Sequence, residues 1–331
     1  MRGTAAEIAD VGFSIRFWNH AAMLGAGAET NGDHRPAVHR DVTPPLYGPR
    51  MGLPVPQTLS PSSMGCYTSC PLAFKFSYVQ RLPEPPSAPA SKGTLVHLAL
   101  QHLMWRPADE RTIDAALADL GRASRELEGD AEFSGLELSP EELEQFRADA
   151  EVLVRRYFEL EDPTKVRAIG VELKLSATLE KVTLRGIIDR LELDENDELV
   201  ITDYKTGNTP SERWEMKSLA GVHVYSVLCE QMFGRRPSRV QLLYLSKPEA
   251  IIAEPSDVFM RGVNQRSGAV MEAVRRACSR DDFRPKESAL CNFCNFQEFC
   301  PAFGGDPQQA EVVMKERAAT AAGRPPLPLA V

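Results

Sequence analysis

The sequence predicts a mixed α/β fold in which one mixed sheet is flanked by helices. Helical segments occupy the stretch from Ser60 to Phe158, the hydrophobic period drops to two at Val166, and a helix and a further strand follow. With 331 residues and 43% hydrophobic composition, the chain buries a substantial core, and its length allows one large domain or two smaller ones. No internal repeat interrupts this order.

Residues 1–58 are rich in Gly, Pro, Ala and His without sustained periodicity, and are expected to be a disordered segment, with Met51 an alternative start. Glu7 and Asp10 break the early apolar stretches, and no run nears the ~18 apolar residues of a membrane span, so a cytoplasmic protein is expected. The formal net charge of -8 excludes a protein that coats nucleic acid through overall positive charge. Any such contact needs a local basic strip.

Ser60-Pro61-Ser62-Ser63 reads as an N-cap with proline at the first helical position, leading into a helix over Met64–Val79. After a proline-rich loop, Leu95, Leu98, Ala99 and Leu103 give Lys92–Trp105 a helical stripe. Two more helices follow, the second opened by the capping box Ser139-Pro140-Glu141-Glu142. Strands are expected over Val166–Leu175, Val182–Leu193, Glu198–Lys205 and Arg239–Ser246, with a helix over Glu215–Phe233. Pro307–Val331 is again Pro- and Ala-rich, and Gln308–Ala321 suits a short exposed helix.

Side chains two apart share a strand face, so Asp203 and Lys205 point the same way as Leu199 and Ile201. A loop Glu195-Asn196-Asp197 centred on Asn196 sets Asp189 opposite Asp203, with side chains about 4.5–5.5 Å apart. Facing like charges cost roughly 1 kcal/mol in water and about 4 in a shielded site, which a divalent metal would offset. A turn at Glu180-Lys181 would add Glu172 opposite Asp189, although Glu-Lys is a poor hairpin dipeptide. From spacing alone, charges on an exposed sheet edge are the alternative. Separately, Cys291-x2-Cys294-x5-Cys300 is compact enough for thiolates to converge on one metal centre, with a fourth ligand missing locally. Cys229 and Cys278 lie in apolar helical patterns and read as buried structural thiols.

Gly93-Thr94-Leu95-Val96-His97, Gly186-Ile187-Ile188-Asp189-Arg190 and Asp203-Tyr204-Lys205 together resemble the RecB-like PD-(D/E)xK nuclease pattern. Cys70-Pro71-Leu72 resembles that family's first cluster cysteine, and Cys291, Cys294 and Cys300-Pro301 its last three. The resemblance, shared with CRISPR spacer-acquisition nucleases, spans Leu59 to Pro301. It implies a restriction-endonuclease-like core sheet over 59–304 with a helical insertion at about 106–162 and a cysteine-ligated cluster, while the composition beyond it makes 305–331 a flexible tail.

The implied site is Mg²⁺ or Mn²⁺ held by His97, Asp189, Asp203 and the Tyr204 carbonyl, with Glu172 nearby and Lys205 beside the attacking water. Cys70, Cys291, Cys294 and Cys300 would bind a [4Fe–4S] cluster, with zinc the alternative metal and Cys66 the alternative ligand. Tyr225 matches the tyrosine of a Gln-x-x-x-Tyr substrate-positioning helix, but Gly221 stands where the glutamine belongs; His223 reads as structural, with partial substitution for that glutamine in DNA contact the alternative, and His102 reads as structural. The implied function is metal-dependent hydrolysis of DNA ends or single strands in repair, recombination or defence. No Gly-x4-Gly-Lys-[Ser/Thr] loop is present, so processive work would need a partner helicase. The rival is a catalytically silent DNA-binding or scaffold module.

Overall fold

The computed structural model describes residues 52–210 and 212–321. The disorder expected for the first fifty-one residues lies outside them. The ordered part begins earlier than a boundary at 58: the Leu53 N–H donates to the Cys278 carbonyl at 2.9 Å, and Leu53 and Val55 pack on the core.

Strand β1 (Thr58–Leu59) leads into α1 (Pro61–Ser69), whose reciprocal cap has Ser60 N–H donating to Ser63 Oγ at 2.7 Å. The helix expected to continue to Val79 breaks at Cys70, which is extended at φ -156° and ψ 107°. The cause is Pro71, whose ring disfavours helical backbone at the residue before it. Helix α2 (Pro71–Phe74) restarts there and runs into a π-helical turn over Lys75–Val79. Helix α3 (Ala88–Trp105) is followed by α4 (Ile113–Leu127), α5 (Ala131–Ser134) and α6 (Pro140–Leu160), the last opened by the Ser139–Glu142 box.

Strands β2 (Arg167–Thr178), β3 (Thr183–Leu193) and β4 (Leu199–Lys205) form an antiparallel meander. Helix α7 (Glu212–Phe233) then crosses over to β5 (Arg239–Tyr244), which pairs parallel to β4 as such a crossover requires. Edge strand β6 (Glu249–Ala253) completes the sheet, and β1 lies parallel to the start of β3 on the edge that β4 uses further along. Neither β1 nor β6 is visible in the sequence pattern: one has two residues, and the other exposes Ile252 at the sheet edge.

Each face of the sheet carries its own core. Phe74, Phe76, Leu184, Ile188, Leu199 and Ile201 pack with α7 and with α8 (Asp257–Arg280) on one side. Leu95, Leu100, Val154 and Tyr157 pack against Tyr204, Leu243 and Leu245 on the other. The helices of the insertion therefore bury the second face, and each large apolar side chain so buried contributes ~1.5–3 kcal/mol. The predicted flexible tail is corrected over its first part: α9 (Ala310–Ala321) buries Ala310 and Met314 in the first core. No helix among the described residues is long and apolar enough to cross a membrane.

Candidate active site

The β3–β4 ladder runs from Leu193↔Leu199 to Arg190↔Thr202 and stops. Its register, continued by one pair, sets Asp189 opposite Asp203, as a loop centred on Asn196 predicts. The Asp189 carboxylate, rather than a strand carbonyl, accepts the Tyr204 N–H at 2.7 Å. Across the other edge of β3, the pairs Leu173↔Ile188 and Val171↔Arg190 bracket Glu172 and Asp189, which therefore face each other. The Glu180-Lys181 turn exists despite its poor propensity, closed by the Leu179 N–H on the Val182 carbonyl at 2.8 Å.

Glu172 lies in the left-handed region at φ 48°, a strained conformation for a residue with a side chain. Its effect shows in which way the neighbours face. Leu173 and Ile188 belong to the α7–α8 core, whereas Val171 packs in the opposite core and Arg190 bonds the Tyr204 and Tyr157 hydroxyls there. Residues two apart in a regular strand share a face, so the facing of both strands reverses at the Glu172–Asp189 pair.

His97 reaches this pair from α3. Its Nε2 lies 3.1 Å from the Tyr204 carbonyl, and its Nδ1 lies 3.5 Å from Asp189 Oδ2 and 3.9 Å from Glu172 Oε1. Ligand-type atoms of His97, Glu172 and Asp189 all fall within 4.8 Å of one another. One helical turn earlier, a Cβ at Gly93 would come 3.2 Å from Thr206 Oγ1, so glycine there lets α3 approach the end of β4.

Burial raises the Glu172 and Asp189 carboxyls above the usual carboxylate range, Asp189 the more, and the Asp203 charge adds to both. Burial lowers His97, despite the Asp203 charge and its bond to Tyr204. A neutral imidazole donating from Nε2 leaves the Nδ1 lone pair facing two carboxylates. These oxygens with one imidazole fit a hard divalent cation, whose charge would relieve the carboxylate repulsion.

Asp203 and Lys205 form an ion pair on the face shared with Leu199 and Ile201. Burial works against the Lys205 charge, but Asp203 beside it outweighs that and holds the ammonium above the ordinary lysine value. Tyr225, on α7, covers Gly186: a Cβ there would sit 2.5 Å from the ring, so only glycine fits. Burial raises the Tyr225 hydroxyl, with contributions from Asp203, Asp189 and Glu172. At Gly221 a Cβ would meet Pro61 Cβ at 3.7 Å, which places that position against α1. His223 is buried and stacked on Phe259 at 4.5 Å. His102 is buried too, with Nε2 3.1 Å from Glu126.

Sequence reasoning quoted Arg190 within a motif and gave it no role. It is fully buried, paired in bidentate fashion with Glu161 at the end of α6 and with Glu192 at 2.6 Å. It also donates to the Tyr204 hydroxyl at 2.9 Å and to Thr202 Oγ1 at 3.1 Å. The signal available was an arginine in an otherwise apolar strand, since a buried charge requires partners. The network ties β3, β4 and the insertion together directly behind the site.

Cys70, Cys291, Cys294 and Cys300 line one cavity of about 320 Å³, and Cys66 lines it with them. Burial, then Cys70, Glu84 and Cys294, push the Cys66 thiol up to about 11. Cys229 and Cys278 are buried in the core elsewhere, as the apolar pattern around them predicts.

Facing carboxylates, a histidine and a lysine gather where the β3–β4 ladder ends, a donor set that could hold a divalent metal. The chain belongs to the PD-(D/E)XK nuclease superfamily, whose family model matches residues 58–301. It is 25% identical over 137 residues to the Gene 69 protein of Mycobacterium phage L5, spanning 40% of this chain but only 45% of that protein. It is 22% identical over 273 residues to the Gene 69 protein of Mycobacterium phage D29, covering 74% of this chain and 96% of that protein. Among solved structures, a Eubacterium rectale protein designated an exonuclease matches with TM-score 0.46 and 12% identity, covering 72% of this chain and 87% of the other. SSO0001 matches with TM-score 0.32 and 13% identity, over 64% and 84%. The fold assignment rests on the family match.

Proposed function

We propose that the chain is a Mg²⁺- or Mn²⁺-dependent deoxyribonuclease of the RecB-like kind, acting on DNA ends or single strands. The observation that carries this reading is the convergence of His97, Glu172 and Asp189 within 4.8 Å, next to the Asp203–Lys205 pair. His97 Nδ1, Glu172 and Asp189 would hold the ion, with the adjoining Asp203 carboxylate as a further oxygen, while the Tyr204 carbonyl expected as a ligand instead accepts from His97 Nε2 on the far side of the ring. A divalent ion supplies neutralisation of phosphate charge and acidifies water. Lys205 then stabilises negative charge developing on the phosphate, its ammonium kept protonated and aimed by Asp203. Arg190 holds Tyr204 and Thr202 in place, and Tyr225 closes the side opposite α3.

The four thiols of Cys70, Cys291, Cys294 and Cys300 would bind a [4Fe–4S] cluster. Among the described residues, no three cysteine sulfurs lie within 4.8 Å of one another, although five line the cavity. Four thiolates around one cavity also suit zinc, the alternative metal. Reduced thiols suit a cytoplasmic setting, and processive degradation would draw on a partner helicase.

The test is incubation of the purified protein with end-labelled single- and double-stranded DNA in Mg²⁺, Mn²⁺ or EDTA. Metal-dependent cleavage supports the reading. DNA binding without cleavage in any metal would favour the silent module, for which Gly221 at the glutamine position is the one pointer.

A further inference from the structure

The distal half of the β2–β3 hairpin is basic in an otherwise acidic protein. Between Leu173 and Arg185 stand Lys174, Lys181 and Arg185 against a single acidic residue, Glu180 at the turn, whereas the whole chain carries a net charge of -8. None of the three cations takes part in an ion pair among the described residues, while most other basic side chains do. Cations left unpaired in a carboxylate-rich protein are available to an external anion.

The alternation of the strands puts Lys174 and Arg185 on one surface, whereas Lys181, in the turn, packs its side chain against Gly268 of α8 on the other. Leu175, Val182, Leu184 and Ile188 are buried in the α7–α8 core, while Lys174, Ser176, Arg185 and Ile187 are exposed on the other face. Lys174 pairs across the ladder with Ile187, and Ser176 with Arg185. Lys174 and Arg185 are therefore diagonal neighbours about 7–8 Å apart, with the 43%-exposed Ile187 beside them. This surface leads into the site, because Lys174 stands two residues from Glu172 on β2 and pairs across the ladder with Ile187, two residues from Asp189. The hairpin is also held firmly: Arg275 donates to the Lys181 carbonyl at 3.1 Å, and β1 pairs with Thr183 and Leu184.

We propose that this exposed face of the hairpin, through Lys174 and Arg185, carries the sugar–phosphate backbone of the nucleic-acid substrate into the Glu172–Asp189 centre. The two cations take phosphates of one strand, and Ile187 offers an apolar surface to a sugar or base. The inference rests on the nuclease reading and names the part of the chain that holds its substrate.

The experiment compares the full-length protein with K174A/R185A and with a control, R125A/R280A, that removes the same charge from exposed positions on α4 and α8. Binding of a labelled single strand is followed by anisotropy in EDTA across a salt series, and cleavage kinetics are measured with Mn²⁺. The hairpin variant should bind about tenfold more weakly, with log Kd less salt-dependent by about 1 for each side chain removed. Its KM should rise by a similar factor while kcat at saturation and the melting temperature stay at wild-type values, and the control should match wild type. Unchanged affinity and salt slope in K174A/R185A, with wild type binding and cutting DNA, overturn the hairpin surface alone. A wild-type protein that neither binds nor cuts DNA overturns the nuclease reading and this inference with it.

Discussion

The Tyr225 ring occupies the space that a side chain at position 186 would need, approaching within 2.5 Å of where a Cβ would stand on Gly186. The glycine of the β3 motif is thus explained by a helix packed on it, not by backbone freedom. Gly186→Ala must move Tyr225 or β3, so we expect a loss of roughly 1–3 kcal/mol in urea unfolding, as for overpacking elsewhere, together with reduced cleavage. Gly186→Ala paired with Tyr225→Ala should recover most of the stability. Additive losses in the double variant would show that the ring is not the obstacle.

Arg190 and Glu161 form a second such relationship, deep under the site. Removing one partner of a buried pair leaves an uncompensated charge, at a cost of about 3–5 kcal/mol. Arg190→Ala should lose that much in chemical denaturation, and Glu161→Gln less, because Glu161 is partly exposed and the amide can still accept a bond. A change under about 0.5 kcal/mol in Arg190→Ala, the range of ordinary surface substitutions, would contradict the network.

Without metal, the raised Asp189 carboxyl marks a site that works against folding. Burial, then the Asp203 charge, favour its protonated form in the folded chain. The penalty for ionising it is absent below the unfolded value of about 3.9 and grows as pH rises toward the folded value. Asp189→Asn retains the oxygen that accepts the Tyr204 N–H and removes the charge. In EDTA at neutral pH it should melt higher than wild type, and it should lose the rise in melting temperature that Mn²⁺ gives wild type. A lower melting temperature in EDTA, or an undiminished Mn²⁺ effect, would count against a metal-holding role for Asp189.

Cys66 and Cys70 line the same cavity but differ in backbone: Cys66 lies within α1, and Cys70 is the extended residue at its end. Cys70→Ser should lower iron and sulfide content and thermal stability as strongly as Cys294→Ser, while Cys66→Ser does neither. Metal coupled to folding gives both readouts. Loss of metal in Cys66→Ser with retention in Cys70→Ser would exchange the two residues.

Much of the sheet was legible because its strands obey simple alternation and because a short loop around Asn196 fixes register by counting. The break at Cys70 was legible in principle, since Cys-Pro disfavours a continuous helix. The strain at Glu172 was not: a left-handed residue inside a strand has no signature when the residue is glutamate, so the reversal of facing appears only in three dimensions. Nor does sequence show that Arg190 recruits Glu161 from a helix twenty-nine residues earlier. The proposed metal-ligating set was the hardest to order, since it depends on which His97 nitrogen faces the carboxylates and which faces Tyr204.

The central claim, that this constellation hydrolyses phosphodiesters, is tested most directly by Lys205→Ala assayed on end-labelled DNA with Mn²⁺. Lys205 is about 40% exposed at the end of β4, so its removal costs little packing. The variant should stay folded and keep wild-type DNA affinity, melt lower because the buried Asp203 carboxylate loses its partner, and lose cleavage by roughly two to three orders of magnitude, the scale of removing one transition-state charge stabiliser. Cleavage at the wild-type rate by a folded, DNA-binding Lys205→Ala protein would contradict the account.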